Sequence, residues 1–261
     1  ALSDSQLTVS GTPVDYARWQ GSGTNHLVTG SSTPTADGRF EIRYELFSLD
    51  RKIRLLGEAL TVPASQWRDA AHFAADKIFE AITGARGVFS TKIIYVNQYP
   101  HNGKFRYRLE LADADGHRPL SILDSPEPIL SPGWSPDGRM VTYVSFESGR
   151  PAIYKQTIAT QQRTLLASFS GLNGAPAWSP DGRRMALTLS RDGNPEIYVM
   201  DIERRALTRI TNHAAIDTEP RWMPDGRTVV FMAHGNEATH IYAFDANAGA
   251  PRRLTKRAPL L

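Results

Sequence analysis

The sequence predicts a β-propeller preceded by a small α/β (α+β) domain, and three observations carry that prediction. One six-residue phrase occurs three times: Trp134-Ser135-Pro136-Asp137-Gly138-Arg139, Trp178-Ser179-Pro180-Asp181-Gly182-Arg183 and Trp222-Met223-Pro224-Asp225-Gly226-Arg227, a step of 44 residues each time. Tyr154, Tyr198 and Tyr242 keep the same step, so a whole unit repeats. A fixed period in the low forties is that of a four-stranded propeller blade. Residues 1–87 lack the repeat and contain a single long amphipathic pattern, which sets them apart as an N-terminal domain; 88–261 read as a partial propeller.

Composition bounds the alternatives. Hydrophobic residues make up 41% and charged residues 22% of 261, which excludes a disordered chain. No apolar run is long enough for a transmembrane segment. The absence of cysteine removes disulfides, thiol catalysis and Cys-based zinc sites together. The net charge of +3 comes from 30 basic and 27 acidic side chains that are mixed along the chain, whereas a nucleic-acid binder gathers its excess into a stripe. The densest basic stretch, Arg252 to Arg257, reads as a solvated strand end, and no nucleic-acid partner is expected.

Within the N-terminal domain, Val14 to Gln20 suggests a short helix closed by Gly21-Ser22-Gly23. His26 to Gly30 reads as a strand and Asp37-Gly38 as a hairpin turn. From Phe40, strict alternation places Phe40, Ile42, Tyr44 and Leu46 on one face of a half-buried strand; Ile53 to Leu60 is its partner. Pro63 to about Thr83 predicts a helix, with Pro63 at its first position and Gly84 past its end. Trp67, Ala71, Ala74, Ile78 and Ile82 form its apolar stripe, expected to cover the strands.

One repeat unit predicts four short antiparallel strands: Ala175–Trp178, Met185–Ser190, Glu196–Asp201 and Arg204–Ile210. Ser179-Pro180-Asp181-Gly182 is the first turn, with proline pre-setting φ, aspartate capping and glycine taking positive φ. The tryptophan is expected to pack between neighbouring blades. Before the first phrase lies a degenerate unit, Lys92–Val96, Tyr107–Leu111 and Leu120–Leu123, with no strand of the phrase type ahead of it. The chain therefore reads as about three and a half blades of a ring: either it is a truncation, or the missing blades come from elsewhere.

Candidate chemistry is sparse. His72 and Asp76 are four apart on the helix and read as a surface pair. Asp137, Asp181 and Asp225 recur at one place in a repeat, which is turn chemistry and not a carboxylate cluster. Asp113-Ala114-Asp115-Gly116 begins like a calcium loop but lacks its later acidic ligand. His234 and His240 have a spacing that suits no common metal site. A peptidase reading, the propeller of a prolyl-oligopeptidase-like enzyme, requires a Gly-x-Ser-x-Gly elbow that the sequence does not contain. No catalytic, cofactor or metal site is expected.

Beyond the phrase, Leu172-Asn173-Gly174-Ala175-Pro176-Ala177, Asn194 to Asp201, Leu207 to Thr211 and Asp217-Thr218-Glu219-Pro220 resemble the TolB family of the Tol-Pal system. So do Leu27 to Gly30, Asp37 to Phe40, Val62 to Gln66 and Ala85 to Thr91. The resemblance implies an α/β domain followed by a six-bladed propeller in the periplasm of a Gram-negative bacterium. It implies a non-enzymatic scaffold that binds the peptidoglycan-associated lipoprotein Pal and links it to TolA. That role supports outer-membrane integrity and cell division, and colicins and phages exploit it in protein import. Against the family pattern, a first strand and helix, the TolA-recognising segment and the last blades are not found in this sequence. Family positions for Pal fall, by motif match, on Leu172, Asn173, Gly174 and Ala175 in one loop between blades and on Asp217, Thr218 and Glu219 in the next.

Overall fold

The structure, a computed structural model, describes residues 13–19, 21–235, 238–246 and 250–255. Residues 1–12, Gln20, and Lys256 and Arg257 of the basic stretch lie outside them. Packing separates two units: residues up to 93 together with 113–117, and 94–112 together with 118 onward.

The first unit contains a short helix, α1 (Tyr16–Trp19), whose start is capped by Asp15 Oδ1, which accepts from Ala17 N at 3.1 Å. A three-stranded antiparallel meander follows: β1 (His26–Pro34), β2 (Phe40–Ser48) and β3 (Ile53–Val62). Alternation in β2 holds, since Tyr44 and Leu46 are buried and Phe40 and Ile42 half-buried. Pro63 opens a 3-10 turn, Ala64–Gln66, and the α-helix α2 (Trp67–Thr83) starts only after it. Gly84 at φ 74° closes α2, donating to Glu80 O at 2.8 Å. The expected stripe is only partly used. Ala70 is the one buried residue of α2, Ala74 and Ile78 are half-buried, and Trp67 and Ile82 are each 44% exposed. Ala71, a member of the expected stripe, is exposed, and Ala70, outside the stripe, takes the buried position, so the covered face is offset from the predicted one; Trp67 still meets Phe40 edge-on at 4.9 Å.

The second unit consists of four antiparallel sheets. The degenerate unit forms β4 (Lys92–His101), β5 (Lys104–Asp113) and β6 (Leu120–Ser125). The three phrase units form β7 (Ile129–Trp134) to β10 (Arg163–Ala167), β11 (Asn173–Trp178) to β14 (Leu207–Arg209), and β15 (Ile216–Trp222) to β18 (Arg252–Arg253), each ordered as in sequence. The fourth strand of the middle sheet is three residues long, because Arg205 at φ 59° belongs to the turn before it.

Successive sheets bury both faces. From β13 (Glu196–Asp201), Tyr198 and Met200 join Val144, Ile153 and Leu166 on one side, while Ile197 and Val199 join Val229, Phe231 and Phe244 on the other. Period-2 alternation therefore assigns each residue to one of two neighbours, not to core or water. The tryptophans bridge blades as expected: Trp178 Nε1 donates to Thr142 Oγ1 and Trp222 Nε1 to Ala177 O, both at 3.2 Å and both reaching the preceding sheet.

The phrase itself is a turn. Ser135 and Ser179 hydroxyls donate to Asp137 and Asp181 at 2.6 and 2.5 Å, and both serines accept a backbone N–H five residues on, at 2.9 Å. In the third copy Met223 has no hydroxyl, and Asp225 takes the Thr228 hydroxyl at 2.7 Å instead. Gly138, Gly182 and Gly226 stand at φ 65–70°. All three carboxyls are held below the usual carboxylate range, by the serine hydroxyls first in two copies and by the Thr228 N–H first in the third. They are consumed by turn geometry.

Candidate partner-binding face

Of the sequence-predicted site residues only Leu172 lies in a loop between sheets: Asn173, Gly174 and Ala175 begin β11, and Asp217, Thr218 and Glu219 lie in β15, so the expected loops are largely the starts of first strands. First strands β7, β11 and β15 pack beside one another, with β11 between the other two, so the 172–175 and 217–219 segments share one region. Each first strand carries a bulge, at Leu130/Gly133, Gly174/Ala177 and Thr218/Arg221. Ser131, Ala175 and Glu219, 44 residues apart, have φ of 48°, 46° and 54° at that bulge. Non-glycine residues reach this left-handed region at a cost, so the surrounding ladder enforces it. The following prolines, Pro132, Pro176 and Pro220, offer no N–H to the interrupted ladder.

The predicted residues split by exposure. Leu172 is 39% exposed and Glu219 is exposed, its carboxylate 3.1 Å from Arg221 Nη2. Gly174 and Thr218 are half-buried; Thr218 Oγ1 lies 3.4 Å from His234 Nε2. Ala175, Asn173 and Asp217 are buried. Two exposed apolar residues of the same region, Leu130 and Ile216, lie outside the prediction. Ile216 is one repeat after Leu172, and that step was the signal for it.

Asn173 staples its own loop. Its Oδ1 accepts from Phe169 N at 2.9 Å, and its Nδ2 donates to Phe169 O at 2.8 Å and Gly171 O at 3.2 Å. Gly171 stands at φ 78° with Ser190 Oγ where a Cβ would lie, 2.3 Å away, and that hydroxyl accepts from Leu172 N at 2.7 Å. The loop presenting Leu172 is thus fixed on three sides.

Asp217 occupies the same repeat position one blade on and is fully buried, yet no well-aligned hydrogen bond reaches either carboxylate oxygen. His213 Nε2 stands 3.1 Å from its Oδ2. Beside it, the fully buried Glu196 accepts from Thr211 Oγ1, from Arg209 Nη2 at 3.1 Å and from His213 N at 3.0 Å. Burial raises the Asp217 carboxyl to about 6, with Thr211 and His213 opposing and Glu196 reinforcing the shift.

His72 lies 3.5 Å from Asp115 and not against Asp76, which accepts from Phe89 N at 2.6 Å and Ser90 N at 3.1 Å. His72, Asp113 and Asp115 form the one three-ligand group among the described residues, but Arg68 and Lys92 already pair with its carboxylates. His234 and His240 each face a threonine, Thr239 and Thr255.

Comparison with known proteins places these features in a family. A profile of the TolB beta propeller domain matches residues 79–259, and one of the TolB amino-terminal domain matches 2–55. The Tol-Pal system protein TolB of Acinetobacter baylyi is 48% identical over 168 residues, which are 64% of this chain and 40% of that protein. The crystal structure of TolB from Acinetobacter baumannii superposes with a TM-score of 0.87 at 44% identity, covering 95% of this chain and 64% of that one. A puromycin hydrolase mutant, at TM-score 0.50 and 15% identity over 89% of this chain and 38% of that one, shares the fold alone. The chain spans about two fifths of the length of the curated relative it matches.

Proposed function

The chain belongs to the TolB family, and from that premise we propose that it is a non-enzymatic scaffold of the Tol-Pal system that binds Pal through the face carrying Leu172, Thr218 and Glu219. In this reading it acts in the periplasm, links Pal to TolA, and supports envelope integrity and division. Residues 1–87 form its N-terminal domain and 88–261 its propeller part. Among the described residues no helix is long and apolar enough to cross a membrane.

The observation that carries the reading is the side-by-side placement of β11 and β15, whose first residues carry the two segments matched to the family's partner positions. Exposed Leu172, Leu130 and Ile216 supply apolar contact area, and Glu219 a charge at its edge. Asn173, Ala175 and Asp217 support that surface from beneath and do not reach a partner as the loops stand.

Calorimetry of the full-length protein with the soluble domain of Pal tests this. Leu172→Asp is expected to weaken the complex by ~2 kcal/mol or more, as for an apolar anchor. Glu219→Lys is expected to weaken it by about 2–5 kcal/mol if the complex buries the carboxylate against a donor. Unchanged dissociation constants for both variants would move the interface elsewhere, and no binding by the unaltered protein would refute the scaffold reading.

A further inference from the structure

Asp217 is the one buried carboxylate of this face without an aligned donor, and the groups around it are few. From β13 comes Glu196, whose oxygens are taken by Thr211, Arg209 and the His213 amide. Its own loop contributes His213, β14 contributes Arg209, already on Glu196, and β16 (Thr228–His234) contributes His234, which faces Thr218 and Thr239. From β12 (Arg184–Leu189), Arg184 lies at the far end, over Trp222. Strand β11 brings no titratable side chain. Among the described residues, His213 is therefore the basic side chain that stands against Asp217, at 3.1 Å. Ala215 N donates to His213 Nδ1 at 3.2 Å, which leaves Nε2 as the protonated nitrogen of the neutral ring, turned to Asp217.

We propose that His213 and Asp217 hold one exchangeable proton between them and that this proton latches the 211–215 loop onto the start of β15, so that presentation of Thr218 and Glu219 is pH-responsive. The proposal rests on the partner-binding reading of this face. While the pair holds the proton, it is either neutral Asp217 beside neutral His213 or an ion pair, and both leave the pair without net charge, which suits the burial of Asp217. When the proton leaves, Asp217 is a buried carboxylate beside Glu196, opposed only by Thr211 and by the Nε2–H of a neutral His213. The start of β15 then relaxes by turning Asp217 toward water, which pulls on its neighbours in the strand, Thr218 and Glu219.

The direction follows from linkage. The folded-state pKa of Asp217 is raised to about 6 from an ordinary 3.8, so the closed state binds more protons than the open one between those values. Closure is therefore fully favoured below about 4 and is lost as pH rises through about 6.

The test uses isotope-labelled full-length protein, followed by NMR from pH 5 to pH 8. The His213 ring and the Thr218 amide are expected to shift together with one midpoint. Hydrogen exchange at 214–218, corrected for its intrinsic pH dependence, is expected to be about tenfold slower at pH 5 than at pH 7. Asp217→Asn should abolish the Thr218 transition. Should that variant not fold, His213→Gln, at a partly exposed position, should move the Thr218 midpoint. A Thr218 amide that does not shift between pH 5 and pH 8, or one whose transition His213→Gln leaves in place, would overturn the proposal. Affinity for Pal measured at pH 5.5 and 7.5 is expected to change with the same midpoint; a constant affinity alongside a titrating Thr218 would refute the coupling to presentation. Failure to bind Pal at either pH would count against the scaffold reading, and the NMR titration would still decide the latch.

Discussion

Two loops at the same place in consecutive blades solve one problem in different ways. Asn173 and Asp217 are 44 residues apart, open equivalent strands, and are both wholly buried. The amide supplies donors and acceptors at once, so the 169–173 loop closes on itself. The carboxylate can only accept when ionised, and its surroundings offer a histidine where the other loop offers backbone. Isosteric side chains thus give one loop a fixed geometry and the other a dependence on protons. A buried polar group sets rigidity by how completely it is satisfied, not by how deeply it lies.

The comparison can be broken most forcefully by exchanging the chemistry. Asn173→Asp removes the donor to the Phe169 and Gly171 carbonyls and puts a charge against them. It is expected to destabilise the protein by ~3 kcal/mol at neutral pH, read by urea denaturation, and by less in acid, where the carboxyl is protonated. A cost independent of pH would show that Asn173 does not act through its amide donors.

A smaller effect is expected at the phrase. Ser179→Ala deletes the hydroxyl that links Asp181 to the turn, at about 1 kcal/mol, whereas Met223→Ser is expected to be near neutral because Thr228 already serves Asp225. A large gain from Met223→Ser would mean that the third turn is not equivalent to the first two.

The smallest effect is expected for Glu219→Gln in the isolated protein. It breaks an exposed pair with Arg221, worth at most ~0.5 kcal/mol and screened by salt. A loss above 1 kcal/mol, by the same denaturation, would show that the left-handed conformation at this position depends on the carboxylate.

Much of the architecture was legible because it rests on short-range chemistry repeated at one step. The phrase turns, the bridging tryptophans and the closing Gly84 follow from residue type and position. The site was legible only as a pair of segments. Which residues in them face outward depends on the bulge at Ser131, Ala175 and Glu219, and nothing in Ser, Ala or Glu announces positive φ. The repeat did hold one clue: Ile129 shares its phase with Asn173 and Asp217, and an isoleucine there marks a buried position. The partly used stripe of α2 was hidden for another reason. Helical periodicity identifies an apolar face but not which edge of it is covered: Ala70 is buried while Ala71 is exposed.

The bulge also sets a reading frame within each first strand. Between Asn173 and Trp178 the β11 chain advances five residues, while its partner advances four, from Leu189 to Met185. An odd step has been made even, so Asn173 and Trp178 project to the same side of the sheet although simple alternation would oppose them. Substitutions at Ala175 leave that parity intact, whereas a one-residue deletion there would turn Leu172 and its neighbours over as a block. Length at this point, more than side-chain identity, decides which way the face looks.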